Sequence, residues 1–135
     1  MAPSAKVHTP VLSILNFSVA APESAVKKTK SVELTEAVKG AAVPVINGCC
    51  DRYHPTQAIG DLMTIKEQFG RLSGIRLTYV GVHNNVCNSL ISAGMKTGMQ
   101  VTIVTPESNQ AAEDPNLLSK AIQAGTCIIS DQLQD

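Results

Sequence analysis

The sequence predicts an α/β fold whose parallel sheet is laid down in βαβαβαβ order. Short runs rich in Val, Ile and Thr alternate with segments whose apolar residues recur at helical spacing. The connections between them are short and carry Gly, Asn or Pro. At 135 residues, 44% hydrophobic and 16% charged, the chain can bury a core of its own. Such alternation builds parallel strands joined by right-handed crossovers, with ligands held beyond the carboxyl ends of the strands.

Taken in order, Val11 to Ala21 is a short apolar run that reads as a buried strand, as a loosely ordered leader, or as the core of a secretory signal preceded by Lys6. Pro22 to Lys30, with its lysines, Glu and Pro, is a solvated linker. Ser31 to Gly40 opens on a capping serine, sets Leu34 and Val38 four apart and closes on Lys-Gly, the signals of a short helix. Val43-Pro-Val-Ile-Asn-Gly48 is expected to be the first buried strand of the pattern. Pro55 to Phe69 is the longest helix, with Ala58, Ile59, Leu62, Met63 and Lys66 on one stripe and Gly70 as its stop. Strands follow at Leu77–Val82, Gln100–Val104 and Thr126–Ile129, separated by helices at Asn85–Thr97 and Pro115–Ala124. No internal repeat is present.

Composition excludes several functions. Eleven basic and eleven acidic residues leave no net charge, so no broad basic face is available to hold nucleic acid. Two Tyr, two Phe and no Trp supply no stacking platform and leave an aliphatic core. No stretch reaches the roughly 18 apolar residues of a membrane span. The four cysteines, Cys49, Cys50, Cys87 and Cys127, form no Cys-x-x-Cys pair with zinc spacing, and a bridge between neighbours 49 and 50 would be strained. Reduced thiols in a cytoplasmic compartment are the expectation. Neither a dinucleotide fingerprint nor a phosphate-binding P-loop occurs.

Two strand ends run into polar clusters: Asn47 to Gln57, and His83-Asn84-Asn85. In the first, Pro55 suits the first helical position, which puts His54 at the cap and Gln57 at the third helical residue. An imidazole, an amide and free backbone N–H groups at the positive end of a helix suit a carbonyl oxygen or an anion. Structural roles fit the same residues: Asp51 or His54 as a cap, Gln57 closing a capping box, Asn84 or Asn85 capping the next helix. A Cys50–His54 nucleophile pair is a further arrangement the spacing permits, against the usual role of Cys as a small core residue.

In combination, Val43-Pro-Val-Ile-Asn-Gly48, His54-Pro-Thr-Gln57 with Asp61-Leu-Met-Thr64 behind it, and Tyr79-Val-Gly-Val-His-Asn-Asn-Val-Cys-Asn-Ser-Leu90 resemble the central part of the aspartate/ornithine carbamoyltransferases, most closely the ornithine carbamoyltransferases. The resemblance spans roughly residues 31 to 130. It implies a partial Rossmann-like, doubly wound carbamoyltransferase architecture: 1–30 leader and linker, 31–70 the end of a carbamoyl-phosphate domain plus the interdomain helix, 71–135 the first half of an ornithine-binding domain. It implies carbamoyl phosphate and L-ornithine as ligands, citrulline and phosphate as products of arginine metabolism, and no metal or organic cofactor. By the same resemblance His54 is catalytic, donating to the carbamoyl oxygen, Gln57 accepts from the carbamoyl NH2, and Asn85 with Asn84 binds the amino-acid backbone of ornithine. A homo-oligomer, a trimer in that family, or a complementing chain is the implied partner, with neither nucleic acid nor membrane.

The departures are specific. The family's Ser-x-Arg-Thr-Arg phosphate loop is missing, since Ser31 is followed by Val-Glu-Leu-Thr and no Arg precedes Arg52. The family's Asp, Ser-Met-Gly and His-Cys-Leu-Pro segments are not found before Asp135. Gly-Asp-Gly-Asn-Asn is replaced by Gly81-Val-His-Asn-Asn85, which takes a charge from the pocket rim and bears on the choice between ornithine and aspartate. The expectation is a truncated carbamoyltransferase, inactive alone. A non-catalytic amino-acid- or anion-binding or interaction module with an open sheet edge is the rival.

Overall fold

Apolar residues at alternating and helical spacings divide the chain as expected. The computed structural model describes residues 30–39, 41 and 45–130, together with the backbone of 11–15. Its elements are β1 (Val11–Leu15), α1 (Ser31–Lys39), α2 (Pro55–Phe69), β2 (Arg76–Val80), α3 (Asn85–Thr97), β3 (Gln100–Val104), a 3-10 turn at Gln110–Ala112, α4 (Pro115–Gln123) and β4 (Cys127–Ile129). The four strands are parallel and lie in the order β1-β2-β3-β4. Val11 pairs with Arg76, Arg76 with Gln100, and Val101 with Cys127. This is the α/β class that the alternating pattern predicts.

One strand differs from expectation. Residues 45–50 have no regular structure, and Val45 and Ile46 are exposed at 44% and 83%; residues 42–44 lie outside the described residues. A strand needs a neighbour for its backbone groups, and the free edge of β2 is taken by β1. The segment turns instead into the loop before α2, where Thr56 donates to the Gly48 carbonyl and the Cys50 N–H donates to the Tyr53 carbonyl. Of the linker at Pro22–Lys30 only Lys30 falls among the described residues.

The core lies between the sheet and α3. Leu77, Tyr79, Val101 and Ile103 alternate along β2 and β3 and meet Leu90 and Ile91 of α3, all at 1% exposure or less. Each fully buried aliphatic side chain of this kind contributes about 1.5–3 kcal/mol. Eight residues of α3 are buried, which makes it the central helix. It comes so close to the sheet that a Cβ on Gly94 would stand 2.7 Å from Val101 Cγ2 and 3.3 Å from the Met99 carbonyl oxygen. Helix α2 packs on α3 through Ala58 and Ile65 and ends at Gly70, whose φ of 69° closes the helix in the left-handed conformation. The alternate sheet positions Thr78, Val80 and Thr102 are only half-covered by the described residues. No helix among the described residues is long and apolar enough to cross a membrane.

Candidate functional site

The loop of residues 47–54 is fastened to α3 by three polar side chains on one helical face. Asn85, Asn88 and Ser89 fall at spacings of three and four residues, so they project from one side. Asn85 Nδ2 donates to the Cys50 carbonyl at 2.7 Å. Asn88 Nδ2 donates to the Arg52 carbonyl at 3.0 Å and to the Ala112 carbonyl at 2.5 Å. Ser89 Oγ accepts from the His54 N–H at 2.8 Å and donates to the Asn85 carbonyl at 3.0 Å. All three are buried at 5% exposure or less. Each satisfies a backbone group that burial would otherwise leave unpaired.

His54 stands at the N-cap of α2 with Pro55 at the first helical position, as the sequence predicts, yet its side chain makes no cap bond. Its ring Nδ1 lies 3.3 Å from Thr56 Oγ1, which also donates to the Gly48 carbonyl at 2.7 Å. Gln57 is exposed and runs along α2, its Nε2 donating to Asp61 Oδ1 at 3.0 Å, so no capping box forms. Asp51 caps a different helix: its Oδ1 accepts from the Ser31 N–H of α1 at 2.7 Å. Burial works to raise the Asp51 carboxyl, but the bonds from Ser31 and the nearby Arg52 charge hold it below the ordinary value.

Asn84 is the N-cap of α3. Its Oδ1 accepts from the N–H groups of Val86 and Cys87 at 3.0 and 3.1 Å and lies 3.2 Å from the Tyr79 hydroxyl. His83 Nε2 sits 2.7 Å from Asn88 Oδ1. Because Asn88 Nδ2 donates to two carbonyls, its oxygen faces His83, and Nε2 of that ring is the donor. Cys50 is 1% exposed, and its Sγ accepts from the Tyr53 N–H at 3.2 Å and from Asn47 Nδ2 at 3.4 Å. It has no contact with the His54 ring that would make a nucleophile pair among the described residues. All four cysteines are free, and burial pushes the Cys87 thiol up to about 12 and that of Cys127 to about 11.

Sequence reasoning missed the contact that ties this loop to the start of α4. The Tyr53 hydroxyl donates to Asp114 Oδ2, while Asp114 Oδ1 caps α4 by accepting from the Leu117 N–H at 3.0 Å. Burial and the Asp114 carboxylate raise the Tyr53 phenol to about 12. Burial opposes ionisation of Asp114 as well, but the bonds from Tyr53 and Leu117 and the Arg52 charge bring its carboxyl below the ordinary value. Asp114-Pro115, a cap residue before a proline, was the available signal. For Asn88 and Ser89 it was the polar pair on the face of a helix that must be buried.

Three hollows adjoin these residues. The largest, about 550 Å³, separates α1 from the loop and is lined by Ser31, Leu34, Val38, Asn47, Arg52 and Tyr53. One of about 320 Å³ lies between α2 and α3, and one of about 250 Å³ lies against His83, Ser108, Glu113 and Asp114. His54, Gln57 and Asn85 line none of them. No group of three or more His, Cys, Asp or Glu side chains able to hold a metal occurs among the described residues.

This arrangement, a His-Pro-x-Gln helix start pinned to an Asn-Asn helix start at the head of a parallel sheet, defines a carbamoyltransferase-type α/β protein. Two family models match in succession: "Aspartate/ornithine carbamoyltransferase, carbamoyl-P binding domain" over residues 16–67 and "Aspartate/ornithine carbamoyltransferase, Asp/Orn binding domain" over residues 73–133. The chain belongs to the aspartate/ornithine carbamoyltransferase family. It is similar to the ornithine carbamoyltransferase of Methanocorpusculum labreanum, 42% identical over 71% of this chain and 31% of that protein. The Bacillus cereus enzyme of the same name is 44% identical over 67% of this chain and 28% of that protein. Among solved structures, ornithine carbamoyltransferase from Thermus thermophilus superposes with a TM-score of 0.65 at 31% identity, covering 89% of this chain and 36% of the other. That from Pyrococcus furiosus gives 0.66 at 36% identity, over 75% and 33%. The chain therefore spans about a third of the length of these relatives.

Proposed function

We propose that these residues form the carbamoyl-holding part of an ornithine carbamoyltransferase-type site, in a cytoplasmic protein that does not by itself complete the conversion of carbamoyl phosphate and L-ornithine to citrulline and phosphate. Residues 31–70 bring the end of the carbamoyl-phosphate domain and the interdomain helix, and residues 71–135 the first half of the ornithine domain. His54 and Gln57 hold the carbamoyl group, and Asn84 and Asn85 lie where the amino-acid backbone of ornithine is received. The observation that carries this reading is the Ser89 relay, which accepts from the His54 N–H and donates to the Asn85 carbonyl. It sets the carbamoyl motif against the amino-acid motif.

The chemistry supports it. Attack on a carbamoyl carbon places negative charge on its oxygen, and a group fixed beside that oxygen lowers the barrier without reorganising. For Gln57 to join His54, its amide must leave Asp61 and turn toward the cap, a change of side-chain rotamer on an exposed turn. Asn85 is buried with Nδ2 on the Cys50 carbonyl, so for it to reach a ligand the loop of residues 47–54 must shift on α3. Titrating the chain with carbamoyl phosphate, while following the His54 ring by NMR, tests the reading. A shift is expected at the ring signals that His54→Ala identifies by their disappearance, and a silent ring at millimolar ligand refutes it. A response to anions in general, with no preference for the carbamoyl compound, favours the binding-module alternative.

A further inference from the structure

We propose that the open edge of β4, together with the outer flank of α4, docks a second copy of this chain about a two-fold axis perpendicular to the sheet. β4 ends the order β1-β2-β3-β4, and no strand lies beyond it among the described residues. Its inner side is occupied by β3. The Thr126 carbonyl accepts from the Val101 N–H at 2.8 Å, and the Ser130 N–H donates to the Ile103 carbonyl at 2.9 Å. Backbone groups alternate in direction along a strand, so Cys127 and Ile129 turn theirs outward. The composition is that of an interior strand. Cys127, Ile128 and Ile129 form an unbroken apolar run, as in parallel strands covered on both faces, yet Ile128 and Ile129 are 44% and 54% exposed. Edges that stay unpaired are commonly guarded by Lys, Pro or a bulge; residues 126–130 contain neither a charge nor a proline.

Helix α4 extends the patch. It packs on α3 and on β4, and the right-handed crossover from β3 puts α3 on one of its flanks and the open edge on the other. By the helical period Pro115, Leu118 and Ile122 lie to one side of the buried Ala121. The hollow of about 430 Å³ over them is lined by α4 alone, with Ser119 and Gln123 completing it. This is therefore the flank without a neighbour, and Ile122 on it is 46% exposed.

Symmetry identifies the occupant. A two-fold axis through the free edge at Ile128 sets β4 antiparallel to its copy and keeps both α4 helices on one face of the joined sheet, where their outer flanks meet. Cys127 then exchanges both backbone bonds with the partner's Ile129, and Ile129 with the partner's Cys127. The two Ile128 side chains stand opposite each other in the closely spaced, non-hydrogen-bonded pair. A single operation thus covers both the edge and the apolar flank. No charge opposes it, since the residues lining the flank are uncharged and the chain has eleven basic and eleven acidic residues. A self-complementary patch closes at two copies and offers this edge to no third. The inference goes beyond the carbamoyl reading and needs no ligand.

Sedimentation of the whole chain from low-micromolar to near-millimolar concentration tests it, alongside hydrogen exchange over the same range. A reversible monomer–dimer equilibrium is expected, with the outward amides of Cys127 and Ile129 slowing several-fold more than that of Ile128, which already faces β3. Ile128→Lys sets two like charges opposite each other and should weaken association by at least about tenfold. Ile129→Pro removes an N–H that points away from β3, so the fold keeps its ladder while pairing is blocked. Ile59→Lys, on the exposed face of α2, should leave the equilibrium unchanged. A chain that stays monomeric at near-millimolar concentration overturns the proposal, as does a trimer. Association that survives in folded Ile128→Lys, or that Ile59→Lys abolishes, places the contact elsewhere and overturns it too. If both edge variants fail to fold, the exchange pattern of the native chain decides: equal slowing at Cys127, Ile128 and Ile129 refutes edge pairing.

Discussion

Tyr53 and Asp114 show how one hydrogen bond couples charge to fold. The phenol donates to a carboxylate that is already capping α4, and each partner shifts to favour the pair: the carboxyl falls and the phenol rises to about 12. A lowered carboxyl stabilises the fold above its unfolded value, and that contribution is lost as pH falls through the folded value. A raised phenol stabilises the fold below about pH 10, and its contribution is lost as pH climbs toward about 12. Tyr53→Phe should therefore lower stability by about 1.5 kcal/mol near neutrality, as expected for a partly exposed bond to a charged group. The deficit should shrink at both extremes, which urea unfolding at several pH values would reveal; a constant deficit would mean that packing alone is lost. Asn84→Ala should cost about 1 kcal/mol by removing the cap of α3, again read from urea midpoints. If the His54 ring response to carbamoyl phosphate also vanishes, Asn84 does more than cap.

Among the elements, α3 carries both the core and the site. Its close approach at Gly94 leaves no room for a methyl group against Val101 and the Met99 carbonyl, so Gly94→Ala should destabilise by about 1–3 kcal/mol despite the better helix propensity of Ala. A thermal midpoint unchanged or raised in that variant would show that the sheet can give way. Ser89→Ala should free the His54 N–H from its side-chain acceptor, and hydrogen exchange at that amide should quicken, with Ser89→Thr restoring much of the protection. The helices and the strands from β2 onward were readable from the chain because periodicity, Pro55, Gly70 and the Asn84 cap act locally. Val43–Gly48 misled because its Val and Ile favour a strand wherever an edge exists, and only tertiary pairing decides who takes the edge. The His54 position was readable for the same local reason, its Pro55 neighbour. The Tyr53–Asp114 bond joins residues 61 positions apart, a distance over which no sequence pattern speaks.

For the molecule as a whole, a polypeptide of these 135 residues is expected to show no measurable citrulline formation by itself. Leaving phosphate carries about two negative charges, and sites that handle such groups meet them with Arg or Lys in a water-poor pocket; Arg52 is the one basic residue near His54 in the sequence. Each well-placed electrostatic contact is worth roughly 10²–10³ in rate. A coupled assay at saturating carbamoyl phosphate and ornithine checks this, and turnover above about one per second would contradict it. The order β1-β2-β3-β4 also sets a timetable. Arg76 meets Gln100 across a short crossover, whereas Val11 must find Arg76 across 65 positions, and closing the longer loop costs close to 1 kcal/mol more by the logarithmic rule. Strands β2 to β4 with α3 and α4 should therefore assemble as the early nucleus, and β1 should join late and leave first. In a pulse of hydrogen exchange during refolding, amides of Leu77 to Val104 would be shielded ahead of those at Val11 to Leu15, and for that interval the chain would carry an unpaired β2 edge exposed to its neighbours.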